Sequence, residues 1–232
     1  MRIADHAVTQ VSNGFDLSFA SHPMSMLAML AVMALVPFAV LMLTSFSKVL
    51  VVLSIARSAL GTQQAPPTIV LTGLAAVLSG HIMAPVMERM YATGQTVYAE
   101  VQSGQQLLSA SAKVVKPLQD FLVKHGSATE RVRFVDLGRA LRPQEEAARV
   151  REEDWFVIIP AFVLTELKEA FELGFLIFLP FLVLDMVMAN ILLALGMQTL
   201  SPTQVSLPFK ILLFVAVDGW GLLARGLILG YR

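Results

Sequence analysis

The sequence contains no cysteine, and charged residues make up only 15% of its 232 residues. Because cysteine is absent, the chain can form neither disulfides nor thiolate metal sites. The 17 basic residues balance the 17 acidic ones, so the net charge gives no indication of a nucleic-acid partner. Hydrophobic residues account for 56% of the chain, and the mean hydropathy of +0.70 is high for a soluble domain. This composition predicts a protein embedded in a membrane.

The apolar residues are concentrated in long runs. Two shorter runs, 49–60 and 155–164, contain Arg57 and Pro160 respectively. We expect the first of them to continue the first long helix. Together they favour kinked helical hairpins over simple spans, because a proline inside a helix removes a hydrogen bond. Four further runs are long enough to cross about 30 Å of hydrocarbon, which takes roughly 20 helical residues: 24–43, 68–87, 173–195 and 206–231.

Residues 88–154 differ in character from the apolar runs on either side. They hold ten basic and ten acidic residues, more than half of all charges in the chain, which predicts a water-facing helical domain. The chain is therefore expected to consist of a polar N-terminal segment (1–23), a first helical hairpin (24–87), this charged domain and a second hairpin (155–232). The polar N-terminal segment is not expected to be a cleavable signal peptide. Basic residues in the short connections favour the periplasmic side for the charged domain.

Several charges fall inside the apolar runs. Glu172 and Asp185 lie in or beside the third long run, and Lys210, Asp218 and Arg225 lie in the fourth. Placing a charged side chain at the centre of a bilayer costs at least about 2.5–3.5 kcal/mol of free energy. Such a side chain must therefore be paired with an opposite charge or hydrated. In one continuous helix, the three charges of the fourth run would share one polar face. These charges are predicted to be buried or paired between subunits. There are two alternatives: the acids form a proton relay, or the charges lie at helix ends near the headgroups.

The sequence carries no pattern typical of catalysis. The four histidines, His6, His22, His81 and His125, are far apart and lack metal-ligand spacing. No glycine-rich phosphate loop is present, and the Asp218 motif has no nucleophile or base beside it in the sequence. We therefore predict neither an enzyme nor a bound cofactor or metal.

Several long motifs, in order, are similar to those of the FliP/SctR family. They include LTSFSKVLVVLSIARSALGTQQAPP (43–67), MAPV (83–86), IPAFVLTELKEAFELGFLIFLPFLVLDMV (159–187) and LGMQTLSPTQVSLPFKILLFVAVDGW (195–220). That family comprises the core export-gate proteins of bacterial type III secretion, in flagella and in host-contacting injectisomes. The likeness covers nearly the whole chain except its first twenty-odd residues and the middle of the charged domain.

The resemblance implies an all-α fold of kinked hairpins that assembles with other copies. Family members form a ring of five copies, joined by smaller SctS/FliQ-type and SctT/FliR-type subunits. This export gate gives passage to unfolded secreted proteins. It belongs to the bacterial inner membrane, with much of the assembly on the periplasmic side. The resemblance also implies that Lys48, Glu166 and Lys210 form an intersubunit charge network.

In the same family, a loop after the third long helix carries consecutive methionines that form a constricting gasket in the pore. The corresponding residues here are Met197, Gln198 and Thr199, so only the first position keeps the sulfur. Methionine is flexible and polarizable, which suits it to sealing around passing chains of varied sequence. The resemblance therefore implies a pore gasket at these three residues.

Two other functions remain open from the sequence alone. The first is a small ion or proton transporter with Asp185 and Asp218 in its path. The second is a scaffold that anchors another complex through residues 88–154. Within the family, the polar N-terminal segment and the short stretch after Trp220 favour the injectisome type over the flagellar type.

Overall fold

The computed structural model describes residues 23–62, 65–98, 104–197 and 199–232. In those ranges every regular element is an α-helix, which confirms the all-α prediction. In chain order the helices are α1 Pro23–Leu43, α2 Phe46–Ala59, α3 Thr68–Tyr98, α4 Gly104–His125, α5 Ala128–Ala140, α6 Gln144–Ala147, α7 Trp155–Ala194, α8 Pro202–Ala216 and α9 Gly219–Leu229.

The chain divides into two compact units after Val40. In the first unit, α1 exposes large apolar side chains such as Met24, Leu30 and Phe38, which are 64–78% exposed. A helix that is apolar all round is normally covered by lipid or by other helices. This part of α1 therefore has the character of a membrane or assembly helix.

The second unit, Leu41–Arg232, is organised around α2. This helix packs mainly against α7, and also against α3. Val49, Leu53, Ile158 and Phe162 are at most 1% exposed at the centre of the core. Helices α4 and α5 pack on α7, and α8 packs on α7 as well. Because α2 and α7 form this core, their charged residues are the ones that become buried.

Helix α7 joins the apolar runs 155–164 and 173–195, which were predicted to be separate. It is continuous over 40 residues, with Pro160 and Pro180 inside it. The segment between the two runs, TELKEAFEL at 165–173, is rich in strong helix formers, so nothing there ends the helix. The prediction of a separate short piece at 155–164 was therefore wrong. At 1.5 Å per residue α7 is about 60 Å long, well beyond the thickness of the hydrocarbon layer.

The last apolar run is broken into two helices. Helix α8 ends before Asp218, whose backbone is left-handed with φ of 52°, and α9 follows at an angle of 58°. Aspartate is one of the few residues with a side chain that adopts this conformation readily. The prediction that Lys210, Asp218 and Arg225 share a face of one continuous helix was therefore wrong.

A break also separates α1 from α2, where the sequence suggested one helix. The Phe46 amide donates to the Thr44 hydroxyl at 3.3 Å, and the Ser45 hydroxyl donates to that of Ser79 on α3 at 3.0 Å. Serine and threonine side chains that bond to nearby backbone compete with helix continuation. The run at 49–60 therefore belongs to a helix of its own.

Two of the described helices, Thr68–Val97 within α3 and Trp155–Ala194, are long and apolar enough to cross a membrane. The pairs 33–43 with 46–59 and 202–216 with 219–229 raise the number to four if each pair forms one span. This agrees with the four long runs in the sequence, although length and composition are the only basis for it.

Gly174 permits the close approach of α7 to α2. A β-carbon at this position would overlap the Ile55 side chain, whose own β-carbon would lie 3.2 Å away. We expect Gly174→Ala to destabilise the protein by about 1–3 kcal/mol, as overpacking does in a filled core. The measurement is unfolding in a fixed detergent. Gly73→Ala is the matched control, because a β-carbon there meets nothing within 4 Å and should be neutral or slightly stabilising. Equal behaviour of the two variants would contradict the packing argument.

Candidate functional site

A cluster of buried charges lies where α2 meets α7. The Lys48 side chain is 6% exposed, and its Nζ forms an ion pair with Glu169 and lies 3.6 Å from Oε1 of Glu166. The Glu166 side chain is only 1% exposed. The distance to Glu166 is too long for a hydrogen bond, and Oε1 has no hydrogen-bond partner among the described residues. We call Lys48, Glu166, Glu169 and the two residues described next, His125 and Tyr231, the Lys48 cluster.

Tyr231, which follows α9, completes the cluster from the C-terminal side. Its hydroxyl donates to Oε2 of Glu166, and the Lys48 Nζ lies 4.6 Å from the centre of its ring. Burial raises the pKa of the Tyr231 hydroxyl, and the Glu166 carboxylate raises it further. The phenol therefore stays protonated and remains a donor. The C-terminal end is held at the charged centre of the fold.

His125, the last residue of α4, packs against the same tyrosine. Its ring centre is 5.0 Å from that of Tyr231 and 4.7 Å from that of Phe121. Burial lowers the pKa of His125, and the charges of Lys124 and Lys48 lower it further, while Glu169 opposes them. The folded state therefore disfavours the imidazolium form.

This shift predicts a pH-dependent stability. Since the folded protein binds the His125 proton less readily than the unfolded chain does, the stabilisation is complete above the ordinary value of 6.5. It is lost as the pH falls through the lowered pKa. Unfolding in detergent at pH 7.5 and at about pH 5 should show this loss, and His125→Gln should reduce it. His81→Gln, at an exposed position on α3, should leave the dependence unchanged. A dependence that His125→Gln does not alter would contradict the assignment.

A second cluster joins α7, α8 and the end of α2. The Lys210 side chain is 2% exposed, and its Nζ donates to Oδ2 of Asp185 at 2.6 Å and to the Ala59 carbonyl at 3.3 Å. The Ser206 hydroxyl, on the same face of α8, donates to the other oxygen of Asp185. We call Lys210, Asp185, Ser206 and the Ala59 carbonyl the Lys210 cluster. Its lysine is thus paired with a carboxylate and bonded to a backbone carbonyl within one chain.

The structure brings some of the predicted site residues together and separates others. Lys48 and Glu166 share a cluster, whereas Lys210 belongs to the other. The Asp185 side chain is 28% exposed, so it is only partly buried. Asp218 is exposed at the break between α8 and α9, so the single chain does not bury Asp218. No described residues form a group of three His, Cys, Asp or Glu able to hold a metal ion.

Four side chains of the two clusters were not predicted as site residues: His125, Glu169, Ser206 and Tyr231. Glu169 lies three residues after Glu166, and Ser206 lies four residues before Lys210. Both spacings place side chains on one helix face, so both pairs were available from the sequence. The position of Tyr231 depends on how α9 returns to α7, for which the sequence has no local signal.

The turn after α7 presents the predicted gasket residues. Gly196 has a φ of 71°, and the Met197 amide donates to the Leu192 carbonyl at 2.9 Å. With the bond from the Gly196 amide to Leu193, this is a Schellman motif, which requires the left-handed glycine. Met197 is 45% exposed, and Thr199 is exposed too. Gln198 lies outside the described residues.

Comparison with known proteins identifies the family. A sequence model described as the FliP family matches residues 29–227. The hypersensitivity response secretion protein HrcR of Ralstonia nicotianae is 43% identical over 213 residues, which is 90% of this chain and 97% of that protein. The Yop proteins translocation protein R of Yersinia pestis is 43% identical over 210 residues, 89% of this chain and 95% of that protein. The chain belongs to the FliP family.

A flagellar relative matches this FliP-family chain as well. The flagellar biosynthetic protein FliP of Caulobacter vibrioides is 36% identical over 226 residues, 97% of this chain and 83% of that protein. The family predicted from the sequence motifs is therefore confirmed. The matched range of the family model includes both lysine clusters except Tyr231, and it includes the turn at Met197.

Proposed function

We propose that the chain is a structural subunit of a type III protein export gate that forms part of the pore for unfolded secreted proteins. The observation that carries this proposal is the FliP-family match over residues 29–227, together with relatives named for secretion, translocation and flagellar biosynthesis. We favour the injectisome type, because the relatives at 43% identity are a secretion and a translocation protein, while the flagellar relatives of Caulobacter and Pectobacterium are 36% and 40% identical.

Assembly with further copies is supported by the surface of α7. Phe171, Phe175, Leu176 and Leu193 on this helix are 58–65% exposed. Apolar surface of this extent is normally covered by lipid or protein, and a helix of about 60 Å extends beyond the hydrocarbon layer. We propose that neighbouring copies cover it in a five-membered ring, together with SctS/FliQ-type and SctT/FliR-type subunits. The ring would sit at the inner membrane, with much of it on the periplasmic side.

The two lysine clusters are proposed to stabilise this ring. Glu169 is 45% exposed within the Lys48 cluster, and Asp185 is 28% exposed within the Lys210 cluster. Each cluster thus has one carboxylate at the surface of the chain, where a neighbouring copy would lie. The intersubunit network of Lys48, Glu166 and Lys210 would pass through these two acids.

The turn at Met197 is proposed to narrow the pore. Its methionine is half exposed and held by a Schellman motif, so the side chain projects from a fixed backbone. Several copies in a ring would bring equivalent methionines round one axis. Thr199 and Gln198 would complete the constriction.

The test is native mass spectrometry of the protein extracted from membranes in mild detergent, with and without co-expressed partner subunits. We expect a ring of several copies that gains partner subunits. Conductance of liposomes containing the complex should be low and should rise in Met197→Ala. A stable monomer that ignores the partners would contradict the proposal. A monomer that conducts ions by itself would favour the transporter alternative, although Lys210 already neutralises Asp185.

A further inference from the structure

An apolar groove lies in the second unit, and none of the described residues that line it has a carboxylate. It has a volume of about 500 Å³, within the range of roughly 300–1,000 Å³ that is usual for small-molecule sites. The groove is open to the surroundings, and hydrocarbon forms nearly all of its wall. Leu60, Val70, Leu74, Phe214 and Trp220 are among its lining residues.

The walls come from three parts of the chain: the end of α2 with the connection to α3, the first turns of α3, and the bend between α8 and α9. The bend is essential, because it places Trp220 edge-on against Phe214, with ring centres 5.1 Å apart. A continuous helix over 206–231 would not form this side of the groove. Trp220 is 37% exposed there, and tryptophan is enriched where membrane hydrocarbon meets the polar headgroups.

A cation stands at the rim of the groove. Nη1 of Arg57 donates to the Pro66 carbonyl at 3.3 Å and to the Thr68 hydroxyl at 3.0 Å, and Pro66 is itself part of the groove wall. These bonds hold the guanidinium beside the groove. No ion pair connects Arg57 with an acidic residue in the part of the chain that the structure describes. Lys210, in contrast, is neutralised by Asp185.

We propose that this groove binds one acyl chain of an anionic phospholipid, with the lipid phosphate on the Arg57 guanidinium. The groove supplies the apolar surface that a hydrocarbon tail requires, and the arginine supplies bidentate hydrogen bonding to a phosphate. Basic residues beside clefts between membrane helices are typical of such headgroup sites. The site is independent of the export function proposed above.

A second copy of the chain is the competing occupant, because an apolar groove also accepts side chains of a neighbouring helix. The position of Arg57 favours the lipid. An anionic phospholipid carries its phosphate on the glycerol that joins its hydrocarbon chains. This arrangement matches a cation that has no acidic partner among the described residues and lies beside an apolar groove. The two occupants predict different results for the same variants.

The experiment measures lipid retained by the detergent-extracted complex in native mass spectrometry. Palmitoyl-oleoyl phosphatidylglycerol is added to one sample, and phosphatidylcholine with the same acyl chains to another. Phosphatidylcholine carries the same phosphate, but its choline cation offsets that charge and is repelled by Arg57. We therefore expect about tenfold stronger retention of the anionic lipid, which corresponds to ~1.4 kcal/mol. Arg57→Gln should remove this preference. Val70→Trp should reduce retention of both lipids by filling the groove from a position that is 54% exposed, and hence without disturbing the core.

Arg133→Gln is the matched control, because Arg133 is 67% exposed and pairs with Glu130 on α5. It should retain the anionic lipid as the parent protein does. Equal retention in the parent, Arg57→Gln and Val70→Trp would overturn the proposal, as would an equal loss in Arg133→Gln. If Val70→Trp releases copies of the chain while lipid retention is unchanged, the groove is an interface between copies and the lipid proposal is wrong. Val70→Trp keeps the test decisive if Arg57→Gln fails to accumulate.

Discussion

Replacing Lys48 with methionine is expected to destabilise the protein by about 3–5 kcal/mol, as removal of one partner from a buried ionic set does. The expected loss comes from the Glu166 carboxylate, which stays buried when the lysine is removed. Glu166 is 0% exposed, and without the lysine its only remaining partner among the described residues is the Tyr231 hydroxyl. Taking an uncompensated carboxylate out of water is far more costly than losing the contact itself. Unfolding in mixed micelles, followed by the fluorescence of the two tryptophans, measures the change.

A second substitution tests that reason. Lys48→Met combined with Glu166→Gln should recover most of the loss, because the amide keeps the shape and still accepts the hydroxyl of Tyr231 while carrying no charge. A double-mutant cycle then gives the coupling between the two positions. Lys116→Met is the control: its pair with Asp120 is exposed, at 55% and 61%, so the change should stay within about 1 kcal/mol. Equal losses for Lys48→Met and Lys116→Met would show that burial does not decide the effect.

Mixed copies distinguish a pair within the chain from a pair between copies. Lys48→Glu and Glu166→Lys reverse the two charges, and both changes in one chain should restore pairing either way. If the pair is internal, chains with only one change each will not rescue one another when they are co-expressed. If Lys48 instead pairs with Glu166 of a neighbouring copy, co-expression will restore part of the assembled ring in native mass spectrometry. The 3.6 Å distance within one chain supports the internal pair.

Composition and apolar run length were sufficient to predict the all-helical class, and the motifs were sufficient for the family. Helix boundaries were less accessible. The continuity of α7 depends on helix formers at 165–173, a polar segment that interrupts the apolar pattern without interrupting the helix. The break at Asp218 depends on one left-handed residue, which a periodicity argument cannot detect.

The pairing partners of the buried charges could not be predicted from the sequence. Of the charges predicted to be buried or paired inside the apolar runs, Lys210 and Asp185 pair with one another. Asp218 and Arg225 are exposed in the single chain. Lys48, which lies between two of the runs, is buried and paired with carboxylates. The partners themselves are set by tertiary packing: Lys48 and Glu169 are 121 residues apart. Family resemblance placed Lys48, Glu166 and Lys210 in one network, whereas the folded chain separates them into two clusters. A single network of these three residues would therefore require contacts between copies of the chain.

The Lys210 cluster leads to the second large effect. Lys210→Met is expected to destabilise the protein by about 3–5 kcal/mol and to weaken the assembled complex. The lysine is the cation that neutralises Asp185, and it also ties the end of α2 to α8 through the Ala59 carbonyl. Without it, Asp185 keeps only the Ser206 hydroxyl among the described partners. The Asp185 side chain is 28% exposed, so water reduces the loss, and we expect the lower end of the range.

A double variant shows whether Lys210 stabilises the fold through its ion pair with Asp185 or through its contact with the Ala59 carbonyl. Lys210→Met with Asp185→Leu replaces the ion pair by apolar groups of similar size, which is often neutral or stabilising for the fold. Stability in mixed micelles should therefore return close to that of the parent. Lys168→Met, in an exposed pair with Glu172 on the same helix as Asp185, should change stability by less than about 1 kcal/mol. A double variant as unstable as Lys210→Met would show that the lysine acts through its contact with Ala59.

The same double variant separates stability from assembly. If Asp185 only neutralises Lys210 inside the chain, the apolar replacement restores both the fold and the ring in native mass spectrometry. If the partly exposed carboxylate also receives a donor from the neighbouring copy, as proposed above, the fold recovers while the ring remains weakened. The pattern that contradicts the proposed network is full recovery of the ring, because an intersubunit role for the cluster requires the charge that the double variant removes.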